Sequence, residues 1–208
     1  MARMWKVRHI DCSREFAWNA REVMSVRIDE AYAHARSLDD PLDAVGHHDL
    51  RISLKRLRYS LEFFAVCYDA AHVEWILERL SQMQDLLGDL HDAEVLVPEM
   101  QHVLGDLSGR RSSVVHHIAS ARAKRKRPMS YERFAMTIED GAGHEARPGL
   151  LGLINRLRRM RRDSYREAVR LWAHLEAEGF RDRLETLKVI RVEGEPTARV
   201  ERADEGPA

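Results

Sequence analysis

Two cysteines in 208 residues, Cys12 and Cys67, are too few for a disulfide framework and follow no metal-ligand spacing. Free thiols in a reducing compartment are the expectation, with Cys67 buried at the end of an apolar run. The opening residues MARMWKVRHIDCSREF lack the apolar core of a signal peptide. No later stretch approaches the roughly 20 apolar residues that cross a bilayer. A cytoplasmic protein without a membrane partner follows. Net charge is missing too, at a formal +0. A protein that coats nucleic acid over its whole surface is usually basic, so any anion site here must come from segregated charge. Catalytic signatures are equally scarce. No glycine-rich loop carries a phosphate-binding lysine, and no Ser-His-Asp or Cys-His arrangement can be placed. A non-enzymatic protein without a cofactor is expected.

What the chain does have is charge and helical periodicity. Charged residues make up 33% and hydrophobic ones 44%, with only six prolines, which is the composition of a charge-rich all-α protein. A first helix is predicted from an N-cap at Ser13 to about Leu38, with Phe16, Ala20, Met24, Ile28 and Ala35 on its inner face. Asp39-Asp40-Pro41 stops it, because proline disfavours helix for the residue before it. A second helix follows Gly46 and runs from 47 to about 67. A third begins near Ala70, passes through bends at Gly88 and Pro98, and fades near Gly105–Gly109. A fourth, over 110–127, ends in the run Lys124, Arg125, Lys126, Arg127. The last long helix starts near Gly149, and Gly179 separates it from a short one over about 180–190. Residues 1–190 read as a single domain and the polar segment 191–208 as a disordered tail.

The second helix is the most informative. Leu50, Leu54, Leu57, Leu61 and Phe64 form one face. His48, Arg51, Lys55 and Arg58 recur on a neighbouring stripe, flanked by Arg56 and Tyr59. Residues three or four apart on a helix are neighbours, so this stripe offers about one cation per turn to an extended chain of phosphates. Arginine presents a flat fork of donors and lysine a point charge. The competing reading is a solvated face with intrahelical ion pairs, but from Ile52 to Leu61 no acid is present to make them. On the last long helix Arg159, Arg162, Arg166 and Arg170 form a second stripe. There Asp163 and Glu167 supply intrahelical partners, which favours the solvated-face reading.

The histidine pairs His47-His48 and His116-His117 do not suit a metal, since neighbours on a helix point about 100° apart. No metal site is expected. Asp49, Asp89 and Asp92 read as acids that orient guanidinium groups of a neighbouring helix. Nucleic acid is the main rival ligand, because cationic stripes bind any phosphate backbone. Single-strand binders add exposed aromatics for stacking, however, and Trp5, Trp18, Trp75 and Trp172 fall at core or cap positions, leaving only Tyr59 near the stripe. Docking of an acidic protein is a third reading.

His48-Asp49-Leu50-Arg51, then Lys55-Arg56-Leu57-Arg58-Tyr59, then Leu86-Leu87-Gly88-Asp89-Leu90-His91-Asp92-Ala93-Glu94-Val95 resembles the CHAD family, the conserved-histidine α-helical domain. The strong likeness covers about 47–97. It implies an all-α bundle of long antiparallel helices in two related halves, with a basic surface or channel that binds inorganic polyphosphate and association with polyphosphate granules. Carried over by position, His48, Arg51, Lys55, Arg56 and Arg58 take the polyanion-contacting role, with Tyr59 and His91 beside them. The second repeat is degenerate, with Arg156-Leu157-Arg158 as its faint echo of Arg56-Leu57-Arg58. A second basic wall is assigned to Lys124–Arg127 with Arg159 and Arg162, or to a second protomer in a homodimer. Triphosphatase domains that accompany the family carry Glu-x-Glu-x-Lys on a strand. The nearest string here, Glu193-Gly194-Glu195-Pro196-Thr197, lacks the lysine. A histidine near its ordinary pKa of about 6.5 would make binding tighten as pH falls toward 6.

Overall fold

The computed structural model describes residues 4–106 and 146–189, with side chains over 4–105 and 148–189. Among them the architecture is all-α, as the sequence predicts. Five α-helices follow in order: α1 (Phe16–Ala35), α2 (Ala44–Phe63), α3 (Ala70–Asp106), α4 (Ala146–Ala177) and α5 (Phe180–Thr186). Short 3-10 turns at Arg36–Asp39 and Ala65–Cys67 close α1 and α2. The expected fourth helix over 110–127, the run Lys124–Arg127 and the tail 191–208 lie outside the described residues.

Consecutive helices run antiparallel. Phe16 at the start of α1 stacks on Phe63 and Phe64 at the end of α2. His48 near the start of α2 meets His91 far along α3. Trp75 at the start of α3 meets Phe180, just beyond the end of α4. The leucine face of α2 is the centre of the main core: Leu50, Leu54, Leu57 and Leu61 are fully buried against Met24 and Ile28 of α1 and Ile76, Leu80, Met83 and Leu87 of α3. Each buried leucine is worth on the order of 1.5–3 kcal/mol. The far ends of α3 and α4 build a second core, in which Met100 and Val103 pack on Leu150, Ile154 and Leu157. α3 stays helical through Gly88 and Pro98.

Local differences from the sequence reading have identifiable causes. Ser13 does not cap α1. Its N–H and hydroxyl both donate to Asp11 Oδ1, at 2.9 and 2.6 Å, and Glu15 takes the N-cap position without a side-chain bond. Gly46 lies inside α2, because Asp43 caps three residues upstream and accepts from the Gly46 N–H at 2.8 Å. Cys67 is half-buried in its 3-10 turn, with burial pushing its thiol pKa up. Trp5 is exposed and takes part through its backbone.

The glycines of α2 and α3 differ in what a side chain would meet. A Cβ on Gly46 would come within 2.1 Å of Asp43 Oδ2 and 2.6 Å of Ser37 Cβ. Gly46→Ala should therefore dislodge the cap and cost about 1–3 kcal/mol. A Cβ on Gly88 would meet nothing within 4 Å, so Gly88→Ala should stabilise the protein by about 0.5–1 kcal/mol through helix propensity. Urea unfolding of both variants checks the opposite signs.

The last helices are pinned across the bundle. Lys188 donates to Asp29 at 2.8 Å and Glu185 at 2.9 Å. Burial works against its charge, but these hydrogen bonds outweigh it and leave its pKa raised. Tyr32 donates to Glu176 at 2.7 Å, and burial followed by that bond pushes its phenol pKa up.

Candidate functional site

Leucine burial turns the opposite side of α2 to solvent and fixes where each cation goes. Arg51 is half-buried and Lys55 exposed, one turn apart, and neither enters a salt bridge among the described residues. Lys55 stands 5.6 Å from the centre of the Tyr59 ring, and the Arg58 guanidinium is 5.2 Å from the same ring. Arg58 Nε also lies 3.2 Å from Glu62 Oε1, near enough for an ion pair though not aligned as a hydrogen bond. The acid-free interval read from the sequence thus ends one residue before a partner.

Arg56 is turned the other way. Its Nη1 donates to Glu30 Oε1 of α1 at 2.7 Å. Glu30 has no exposed surface and also accepts from Arg27 and from the Trp5 N–H at 3.2 Å. Arg27 in turn donates to the Trp5 carbonyl at 3.0 Å. Two guanidiniums around one buried carboxylate compensate its charge, as a buried ion requires. The acid comes from another helix, which is why spacing within α2 could not reveal it.

The structure brings His48 and His91 together from α2 and α3, with ring centres 4.7 Å apart. Both are half-buried, and His48 Nδ1 is a buried atom without a hydrogen-bond partner. Asp49 Oδ1 is likewise buried without one. Glu30 and Glu94 each hold a guanidinium group of a neighbouring helix, Arg56 and Arg161. Arg159 and Arg162 are exposed on α4, which packs principally along α3. Leu57 and Leu157 are both buried, but Arg156 is exposed where Arg56 is paired.

One network escaped the sequence reading. His47 is buried, its Nε2 donating to the Ser37 carbonyl at 3.1 Å while Nδ1 faces Glu94 Oε1 at 3.6 Å. Arg161 of α4 donates to the same Glu94 oxygen at 3.1 Å and to the Pro41 carbonyl at 2.7 Å. Tyr165 donates to the Leu38 carbonyl at 2.7 Å and stacks on His47. Burial, then Asp40 and Asp39, push the Tyr165 pKa up, which keeps it a donor. These bonds fasten α3 and α4 to the chain entering α2. The signal available was that His47 sits three residues before Leu50, on the leucine face.

Among the described residues the protein is all-α, leaves Arg51 and Lys55 of α2 without an acid partner, and pairs Arg56 with the buried Glu30 behind them. The family model described as CHAD domain matches residues 10–101, which bears out the resemblance read from the motifs of α2 and α3. The match spans α1, α2 and most of α3 and stops before α4. No curated protein and no solved structure matches the chain. No helix among the described residues is long and apolar enough to cross a membrane. Nor is any group of three or more His, Cys, Asp and Glu among them placed to hold a metal ion.

Proposed function

We propose that this chain binds inorganic polyphosphate without catalysing its turnover, through the outer face of α2, and associates with polyphosphate granules. The observation that carries the reading is the pair Arg51 and Lys55, adjacent on one face, without carboxylate partners among the described residues, and inside the CHAD match. Uncompensated cations at helical pitch suit a ligand that is itself a row of negative charges. Arg58 joins them by exchanging Glu62 for phosphate, and the half-buried His48 and His91 lie at the head of the track. Arg56 supports the track from behind through Glu30. Arg159, Arg162 and Lys124–Arg127 are the candidates for a second wall.

Nucleic acid is the weaker reading. Tyr59 is exposed, but its ring is already engaged by Lys55 and Arg58, so it is a poor platform for base stacking. Affinity drawn from multiplicity and counterion release must grow with ligand length. Long-chain polyphosphate should bind at least about tenfold tighter per molecule than triphosphate at low salt. Equal affinities in a calorimetric titration would point to a single phosphate pocket and contradict an extended track.

A further inference from the structure

The outer face of α2 changes character along its length. His48, Arg51 and Lys55 share a helical stripe with Glu62, flanked by Tyr59 and Phe63, and Val66 follows in the 3-10 turn that closes α2. Its far end is apolar and open, with Phe63 68% and Val66 84% exposed. The chain that follows α5 starts at this end. A cavity of about 440 Å³ is lined by Cys67 and Tyr68 on one side and by Thr186, Leu187 and Val189 on the other, and Tyr68 donates to the Leu187 carbonyl at 3.2 Å. Residues 190–208 therefore continue from Val189, which lines this cavity together with Cys67, the residue after Val66.

We infer that segment 190–208 docks along the outer face of α2 as an intramolecular competitor for the polyanion. Three features select this occupant. Its first apolar residues, Ile190 and Val192, match the exposed Phe63 and Val66. Its acids, Glu193, Glu195, Glu201, Asp204 and Glu205, outnumber Arg191, Arg199 and Arg202 and begin immediately after. Charge order along the segment, apolar then acidic, thus repeats the order of the face, apolar then basic. Reach is sufficient: Cys67 to His48 is roughly 30 Å along a helix, against roughly 60 Å for the extended segment. A segment occupying the track for most of the time reduces the competent fraction, and apparent affinity falls in proportion.

The inference rests on the α2 track being the polyanion site, so its test reads docking and binding separately. In the full chain, Glu193, Glu195, Glu201 and Glu205 are changed to Gln and Asp204 to Asn. Backbone amide spectra of this variant and the parent are compared without ligand, then both are titrated with polyphosphate. Expected are amide shifts concentrated on Lys55–Val66 and a tightening of about three- to tenfold at low salt that vanishes at high salt. Absence of the α2 shifts overturns docking, and tightening without them would be a bulk charge effect. Shifts that grow with protein concentration would seat a second copy there and overturn the intramolecular assignment. Shifts with unchanged affinity would overturn the competition. Shifts with no polyphosphate binding in either protein would leave docking intact and refute the polyphosphate reading instead.

Discussion

Glu30→Ala is expected to destabilise the protein by about 3–5 kcal/mol, the largest effect of any single surface-distant charge change here. Glu30 is 0% exposed and is the shared acceptor for Arg27, Arg56 and the Trp5 N–H. Its removal leaves the buried Arg27 guanidinium and the largely covered Arg56 guanidinium without an acid, and it releases the segment carrying Trp5. Breaking one partner of a buried set costs more than the set contributes, because the remaining charges stay desolvated. An apolar replacement of all three, Arg27→Met with Glu30→Leu and Arg56→Met, should recover much of the loss. Denaturant unfolding measures both. A cost below about 1 kcal/mol for Glu30→Ala would mean that the carboxylate is not the keystone of the α1–α2 interface.

The second large effect is on binding. Arg51→Ala combined with Lys55→Ala should weaken polyphosphate binding about 10–100-fold at low salt and lower the salt slope by roughly two units, while unfolding changes by less than about 0.5 kcal/mol. Both residues lie off the leucine face, and neither holds an ion pair among the described residues. The sequence alone favours Arg51 with Arg58, but Arg58 already faces Glu62, so part of its charge is spent before ligand arrives. Arg56→Ala, by contrast, should act chiefly on stability, since its guanidinium faces Glu30. A double variant that binds like the parent would remove the track from α2.

The helices were legible because their signal is repetition. Five leucine-face positions of α2, the inner face of α3 from Val73 to Leu87 and the α4 positions Leu150, Ile154 and Ala168 are buried or packed as their spacing predicts. Boundaries were less legible. The cap of α2 came from Asp43 rather than after Gly46, and Ser13 preferred Asp11 to the helix end, because a short hydroxyl side chain bonds whichever neighbour the backbone offers. The basic stripe was legible as a row of residues but not as a set of available charges. Availability depends on acids that arrive from other helices, and nothing within residues 48–58 indicates that Glu30 claims Arg56. The same limit hid the His47–Glu94–Arg161 network, whose members come from three helices and meet only on folding.

Polyphosphate binding measured across a salt series, with duplex DNA, single-stranded RNA and heparin as competitors, tests the central claim most directly. The account predicts that polyphosphate stays bound at salt concentrations where the other polyanions are released, because a track matched to a bare phosphate chain contributes more than charge alone. Competition at parity for equal charge would contradict it and would leave α2 as a generic basic face, open to nucleic acid or an acidic protein.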